Sequence, residues 1–285
     1  MLRLKSIRRC LSALTALAPL ALLAPVGAHA AGPETESPWA TGYNSRVRLI
    51  SGAGRVGVEL VMPPGWKTYW RMPGDAGVPP SFDWAGSVNV AKVAVLYPAP
   101  HRIADQGGTS IGYKDRVIFP LEVTPADPKQ PVSLVLALEY GVCKDICIPA
   151  EAKLQLTVSP GNASGHHGPR SPDLEQAIES VPRAVNALRP ADPRIVSITG
   201  SVVGAAPKLT IDAKVVGGAD AADLFIEGPE GAFVPFASKS TGPGGLVRFE
   251  VDLSKSADAK DLVGQPLRFT LIGAGAASET TWVAK

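Results

Sequence analysis

Two cysteines, Cys143 and Cys147, stand close together in the segment YGVCKDICIP, separated by Lys144, Asp145 and Ile146. A thiolate can attack a partner's disulfide, pass through a mixed disulfide and be displaced by a neighbouring thiol, and that chemistry needs two cysteines able to close on each other. The spacing permits it. Two other chemistries use the same atoms: a small structural disulfide, and a pair of soft thiolate ligands for Cu(I). As a staple the bond would enclose a very short loop, and the unfolded-state entropy removed by a cross-link grows with loop length. For copper, further ligands are expected from Met or His, and Met62 and Met72 are the only methionines beyond the first residue.

Other candidate groups are thinly spread. His101 and Asp105 could tune a thiol's acidity or simply face solvent, and His166 and His167 sit in a Gly-rich stretch where adjacent histidines are usually solvated. Asn162-Ala163-Ser164 fits a glycosylation sequon by chance composition. No Ser-His-Asp constellation, metalloprotease helix motif or phosphate-binding glycine loop is present, so a hydrolase is the weaker class, and no cofactor is implied.

The elements that must position the cysteines are strands. Apolar residues alternate at Val47, Leu49, at Val56, Val58, Leu60, at Val117, Phe119, Leu121, Val123 and at Val132, Leu134, Leu136, Leu138, Tyr140. After the cysteines Leu154, Leu156 and Val158 repeat the pattern. Period-two alternation separated by Pro and Gly turns predicts half-buried antiparallel strands and a β-sandwich. The cysteines then fall at the tip of the connection between strands 132–140 and 151–158, rigidly held yet reachable. Trp66, Trp70 and Trp84 are expected in that sandwich, with Trp39 near its edge.

Residues 159–170 lack an apolar period and read as a linker. Ser171 as N-cap, Pro172 at the first helical position and Leu174, Ala177, Ile178, Val181, Val185 and Leu188 on one face predict a helix, or two short ones divided at Pro182. Alternation resumes at Leu209, Ile211, Ala213, Val215, at Val247, Phe249, Val251, Leu253 and at Leu267, Phe269, Leu271, predicting a second, smaller β-domain. The expected organisation is therefore 1–30 leader, 31–160 sandwich, 161–192 linker and helix, and 193–285 second β-domain, an all-β protein with a short helical connector.

Arg3, Lys5, Arg8 and Arg9 precede an apolar run from Leu11 to Val26 that ends at Ala28-His29-Ala30, the pattern of a secretory signal peptide with a small-residue cleavage site. Cys10 leaves with it, and the loss of four cations turns the formal charge of +2 slightly negative. A chain of this charge has no basic field for nucleic acid. The expected product is soluble, in an oxidising compartment where close thiols form disulfides. The 285 residues, with 29 Gly, 27 Pro and 45% hydrophobic side chains, suffice for turn-rich domains with cores of their own.

The runs WKTYWRMPGDAGVPPSFDW, YPAPHRIADQGGTSIGYKDRVIFPLEV and LEYGVCKDICIPAEAKLQL together resemble the N-terminal periplasmic domain of the disulfide reductase DsbD, and more closely its relatives the suppressors of copper sensitivity, ScsB. The resemblance covers roughly residues 38–160. It implies an immunoglobulin-like fold, a periplasmic location, and electron transfer through the cysteine pair between a thioredoxin-like or membrane-embedded donor and oxidised periplasmic proteins. Cys147 matches the cysteine that forms mixed disulfides and Cys143 its resolving mate. Thr68 and Trp70 match the paired tyrosines that flank the cysteines, and Asp105 falls in the acidic part of the capping loop. Gln106-Gly107-Gly108 stands where the family has a cap aromatic pair, which puts shielding of the reduced thiols in question. The three-residue spacing is that of the copper-suppressor branch, where the reductase has five. Family members continue into a transmembrane electron channel, here expected to be a separate protein.

Overall fold

In a computed structural model the described residues are 35–75, 77–105, 108–159, 171–229, 232, 234–254, 256 and 259–285. The leader, Gln106 and Gly107, and the stretch with Asn162, His166 and His167 lie outside them. Eleven strands build the first region: β1 (Ala40–Gly42), β2 (Ser45–Gly52), β3 (Arg55–Val61), β4 (Lys67–Gly74), β5 (Ser81–Asp83), β6 (Val90–Val95), β7 (His101–Asp105), β8 (Gly108–Lys114), β9 (Arg116–Pro125), β10 (Val132–Cys143) and β11 (Cys147–Val158). One sheet runs β1-β2-β3-β9-β6; the other runs β11-β10-β4-β8-β7, with β5 also paired to β10. Their inward faces share one core, from Val47, Val58 and Phe119 to Trp70, Leu136, Tyr140 and Leu156. This is a β-sandwich, as the alternation predicts, and an immunoglobulin-like one, as the resemblance implies.

The tryptophans divide by depth. Trp70 is fully buried in that core, while Trp66 and Trp84 pack against it half-buried. Trp39, at the edge, lies under the guanidinium groups of Arg46 and Arg48, 4.5 and 4.4 Å from its ring centre.

The helix α1 (Pro172–Glu179) is shorter than its apolar stripe suggests. Ser171 is extended and its carbonyl accepts from the Glu175 amide, but its hydroxyl makes no cap bond. Pro182 lacks the amide that would continue the helix, and the chain passes instead into the short strand β12 (Arg183–Ala184) and a 3₁₀ turn at Val185–Ala187. Val185, placed on the apolar face by the sequence pattern, is exposed. Leu174 docks the helix on Ile50 and Ile118 of the sandwich.

The second region comprises β13 (Arg194–Ser201), β14 (Lys208–Lys214), β15 (Asp223–Glu227), β16 (Ser238–Thr241), β17 (Val247–Asp252), β18 (Pro266–Ile272) and β19 (Ala277–Val283). They form two four-stranded sheets, β12-β19-β18-β15 and β13-β14-β17-β16. A separate core of Leu209, Ile211, Phe249, Leu267, Phe269 and their neighbours joins the two.

Candidate functional site

The hairpin β10–β11 determines the geometry of the cysteines. Along β10, Leu134, Leu136, Leu138, Tyr140 and Val142 face the core, so Cys143 falls on the opposite face. Cys143 and Cys147 are directly opposed at the last rung of the ladder and joined by a disulfide bond. Their exposures differ sharply. Cys147 is open to solvent whereas Cys143 is 1% exposed.

Cys143 is buried on a nominally outward face because Tyr69 covers it. Strand β4 meets β10 at the pair Lys67 and Cys143, and on β4 the odd-numbered side chains share the face of the sulfurs. The Tyr69 hydroxyl donates to Cys143 Sγ at 2.8 Å and lies 2.6 Å from Cys147 Sγ. Its ring is flanked by glycines. A Cβ on Gly141 would come within 3.1 Å of it, and one on Gly77, whose φ is +150°, within 2.3 Å. A side chain at Gly77 would collide with the ring, and one at Gly141 would crowd it.

Lys67 is also buried on this side, its Nζ donating to the Ser110 hydroxyl at 3.0 Å and standing 5.8 Å from the centre of the Tyr69 ring. Ile146, between the cysteines, and Val78, beside Gly141, are apolar and exposed at 68% and 47%. They border the reachable sulfur with apolar surface.

Thr68 and Trp70 occupy the other face of β4. The Thr68 hydroxyl donates to the Gly141 carbonyl at 2.9 Å, supporting β10 two residues before Cys143. Trp70 is packed on Phe225, and its buried indole N–H has no hydrogen-bond partner among the described residues. The residue between them, Tyr69, is the one that reaches the sulfurs. Asp105 closes β7, paired through its backbone with Gly108. His101 is exposed and lines a cleft of about 560 Å³ with Arg116, Asp173 and Glu179, a lining that includes neither cysteine. Sequence patterning alone does not single out Tyr69 or Lys67. The usable signal is Gly141, a glycine two residues before a cysteine on the same strand face, where a ring from a neighbouring strand can lie.

Residues 40–159 match the family described as Thiol:disulfide interchange protein DsbD, N-terminal. That stretch is similar to the N-terminal domains of DsbD. Residues 180–285 match a second family, Domain of unknown function (DUF8393). The crystal structure of the N-terminal periplasmic domain of ScsB from Proteus mirabilis superposes with a TM-score of 0.65 at 23% identity, covering 88% of this chain and 98% of that one. This likeness is one of fold, and its coverage extends beyond the DsbD N-terminal domain into the second β region. No curated protein matches the chain. Among the described residues no helix is long and apolar enough to cross a membrane, and no group of three or more His, Cys, Asp or Glu is placed to hold a metal ion.

Proposed function

We propose that this chain is an exported thiol–disulfide exchange module that passes electrons through Cys143 and Cys147, between a thioredoxin-like or membrane-embedded donor and periplasmic acceptors. The observation that carries the reading is the asymmetry of the pair: an exposed Cys147 bonded to a buried Cys143, with one tyrosine hydroxyl in reach of both sulfurs. The leader and the DsbD N-terminal family match support the compartment and the chemistry.

Exchange begins when a donor thiolate attacks Cys147 Sγ, the bond to Cys143 breaks, and Cys143 leaves with the electron pair as a thiolate. Tyr69 is placed to donate a hydrogen bond to that leaving sulfur. The donor's second thiolate then attacks the donor sulfur of the mixed disulfide and releases Cys147. The donor departs as a disulfide, two electrons have moved, and the two thiol protons pass to Cys143 and Cys147. Run in reverse, the sequence reduces an acceptor's disulfide, with Cys147 attacking and Cys143 resolving.

Mixed-disulfide trapping tests this. Cys143→Ser leaves an attacking Cys147 without a resolving mate, so covalent complexes with thioredoxin-like proteins accumulate; Cys147→Ser accumulates few. Trapping by the second variant alone would reverse the roles, and trapping by neither would overturn the exchange reading.

A further inference from the structure

Three consecutive residues of β4 do three different things. Tyr69 holds the sulfurs, and the next two side chains engage the second β region, Trp70 from within the sandwich core and Arg71 beside it. Trp70 packs on Phe225 with ring centroids 5.8 Å apart. Arg71 makes a two-pronged ion pair with Glu227, at 2.8 and 2.7 Å, and a further contact of 2.5 Å with Glu279. The Arg71 guanidinium also lies 4.3 Å over the Trp70 ring, so these contacts form one cluster.

The receiving surface is a single strand face. On β15, Leu224 and Ile226 belong to the second region's own core. The alternate residues Asp223, Phe225 and Glu227 all point to the sandwich, where they meet Arg102, Trp70 and Arg71. Phe225 is 1% exposed and sits within the sandwich's core cluster. A strand that presents an acid, an aromatic ring and an acid at alternate positions to three matched partners is a built interface.

Backbone pairing makes the interface matter to the site. β4 pairs with β8 from Lys67 to Tyr69 and then loses register until Gly74. The residues just after Tyr69 are therefore not fixed by β8. Besides the sandwich core around Trp70, the second region supplies their partners, Phe225 for Trp70 and Glu227 and Glu279 for Arg71. A bidentate Arg–carboxylate pair is geometrically restrictive, more so than a lone charge contact.

We propose that the second β region is a positioning element for the exchange site: Phe225, Glu227 and Glu279 hold Trp70 and Arg71, and through them set the place of the Tyr69 hydroxyl against Cys143 and Cys147. This assigns a role to residues 180–285 and rests on the reading of the cysteine pair as exchange-active. Glu227 and Glu279 are positioning residues, since neither touches a sulfur.

The test is the equilibrium constant of the Cys143–Cys147 disulfide against dithiothreitol, measured on the full chain. Glu227→Gln with Glu279→Gln is compared with the parent, both in the native background and with Tyr69→Phe. The expected result is a change of about three- to tenfold in the native background, the size a displaced side-chain hydrogen bond supplies, and of less than about twofold with Tyr69→Phe. An equal change in both backgrounds, or none in either, overturns the proposal. If the double variant does not fold, Glu227→Gln alone, which leaves Glu279 on Arg71, is read in the same way with a smaller change. The parent's own constant judges the exchange reading separately. A bond that resists glutathione buffers altogether removes that reading, while dependence on Tyr69 still decides the coupling.

Discussion

The ring of Tyr69 lies so close to Gly77 that a methyl group there would sit 2.3 Å from its Cε1 atom. Because Gly77 also has a φ of +150°, alanine at this position meets both a backbone penalty and the ring itself. Gly77→Ala is expected to cost at least about 1 kcal/mol of stability and to push Tyr69 off the sulfurs. Urea denaturation checks the first effect. The rate at which dithiothreitol reduces the disulfide checks the second, and should rise as Cys143 loses its cover; an unchanged rate would count against Tyr69 as the shield.

Tyr69→Phe separates the hydroxyl from the ring. The ring still fills the space between Gly77 and Gly141, so the fold should hold. In the reduced protein a hydroxyl donating to sulfur favours the thiolate, and hydrogen bonds to ionised acceptors are the stronger kind. Its removal is expected to raise the apparent thiol pKa of the pair. Thiolate absorbance against pH measures this directly. A fall, or no change, would mean that Tyr69 does not serve the thiolate.

The hairpin that carries the cysteines was legible because its signal is local: Leu134 through Tyr140 and Leu154 through Val158 alternate, and strand alternation depends only on adjacent residues. Tyr69 was not legible in that way. Its contact with Cys143 requires β4 to lie beside β10 across 74 residues of sequence, and the family pattern pointed to Thr68 and Trp70, which occupy the opposite strand face. The partners of Trp70 and Arg71 lie further still, 155 to 208 residues along the chain, in a region whose alternation shows which residues enter its own core but not which meet another sheet. At the helix the apolar stripe ran past Pro182, and backbone chemistry prevailed over side-chain pattern.

Replacing both cysteines by serine tests whether the bond is a staple. The loop it closes is the three-residue tip of a hairpin already held by a full ladder of pairs from Val132 to Cys143. Cross-linking such neighbours removes little unfolded-state entropy, so the expected cost is about 1 to 2 kcal/mol, below the roughly 2 to 5 common for native bridges in small secreted domains. Thermal unfolding should stay cooperative. Its loss would identify the disulfide as structural.

Alkaline conditions probe the core beneath the site. Tyr113 is buried, donates its hydroxyl to the Pro98 carbonyl at 2.8 Å, and its pKa is raised well above the usual value near 10, chiefly because burial penalises the phenolate. A group whose folded pKa lies above its unfolded one contributes fully below the unfolded value. As pH rises past about 10 the unfolded chain ionises first, and stability falls until the folded pKa is reached. Tyr97 and Tyr140 are shifted the same way, also mainly by burial. Tyr113→Phe should therefore lower stability near neutral pH by about 1 kcal/mol, through the lost hydrogen bond, yet flatten its decline above about pH 10 without abolishing it. Urea midpoints from about pH 8 to 11 for both proteins decide this. Parallel curves across that range would show that the Tyr113 phenol does not contribute to alkaline unfolding.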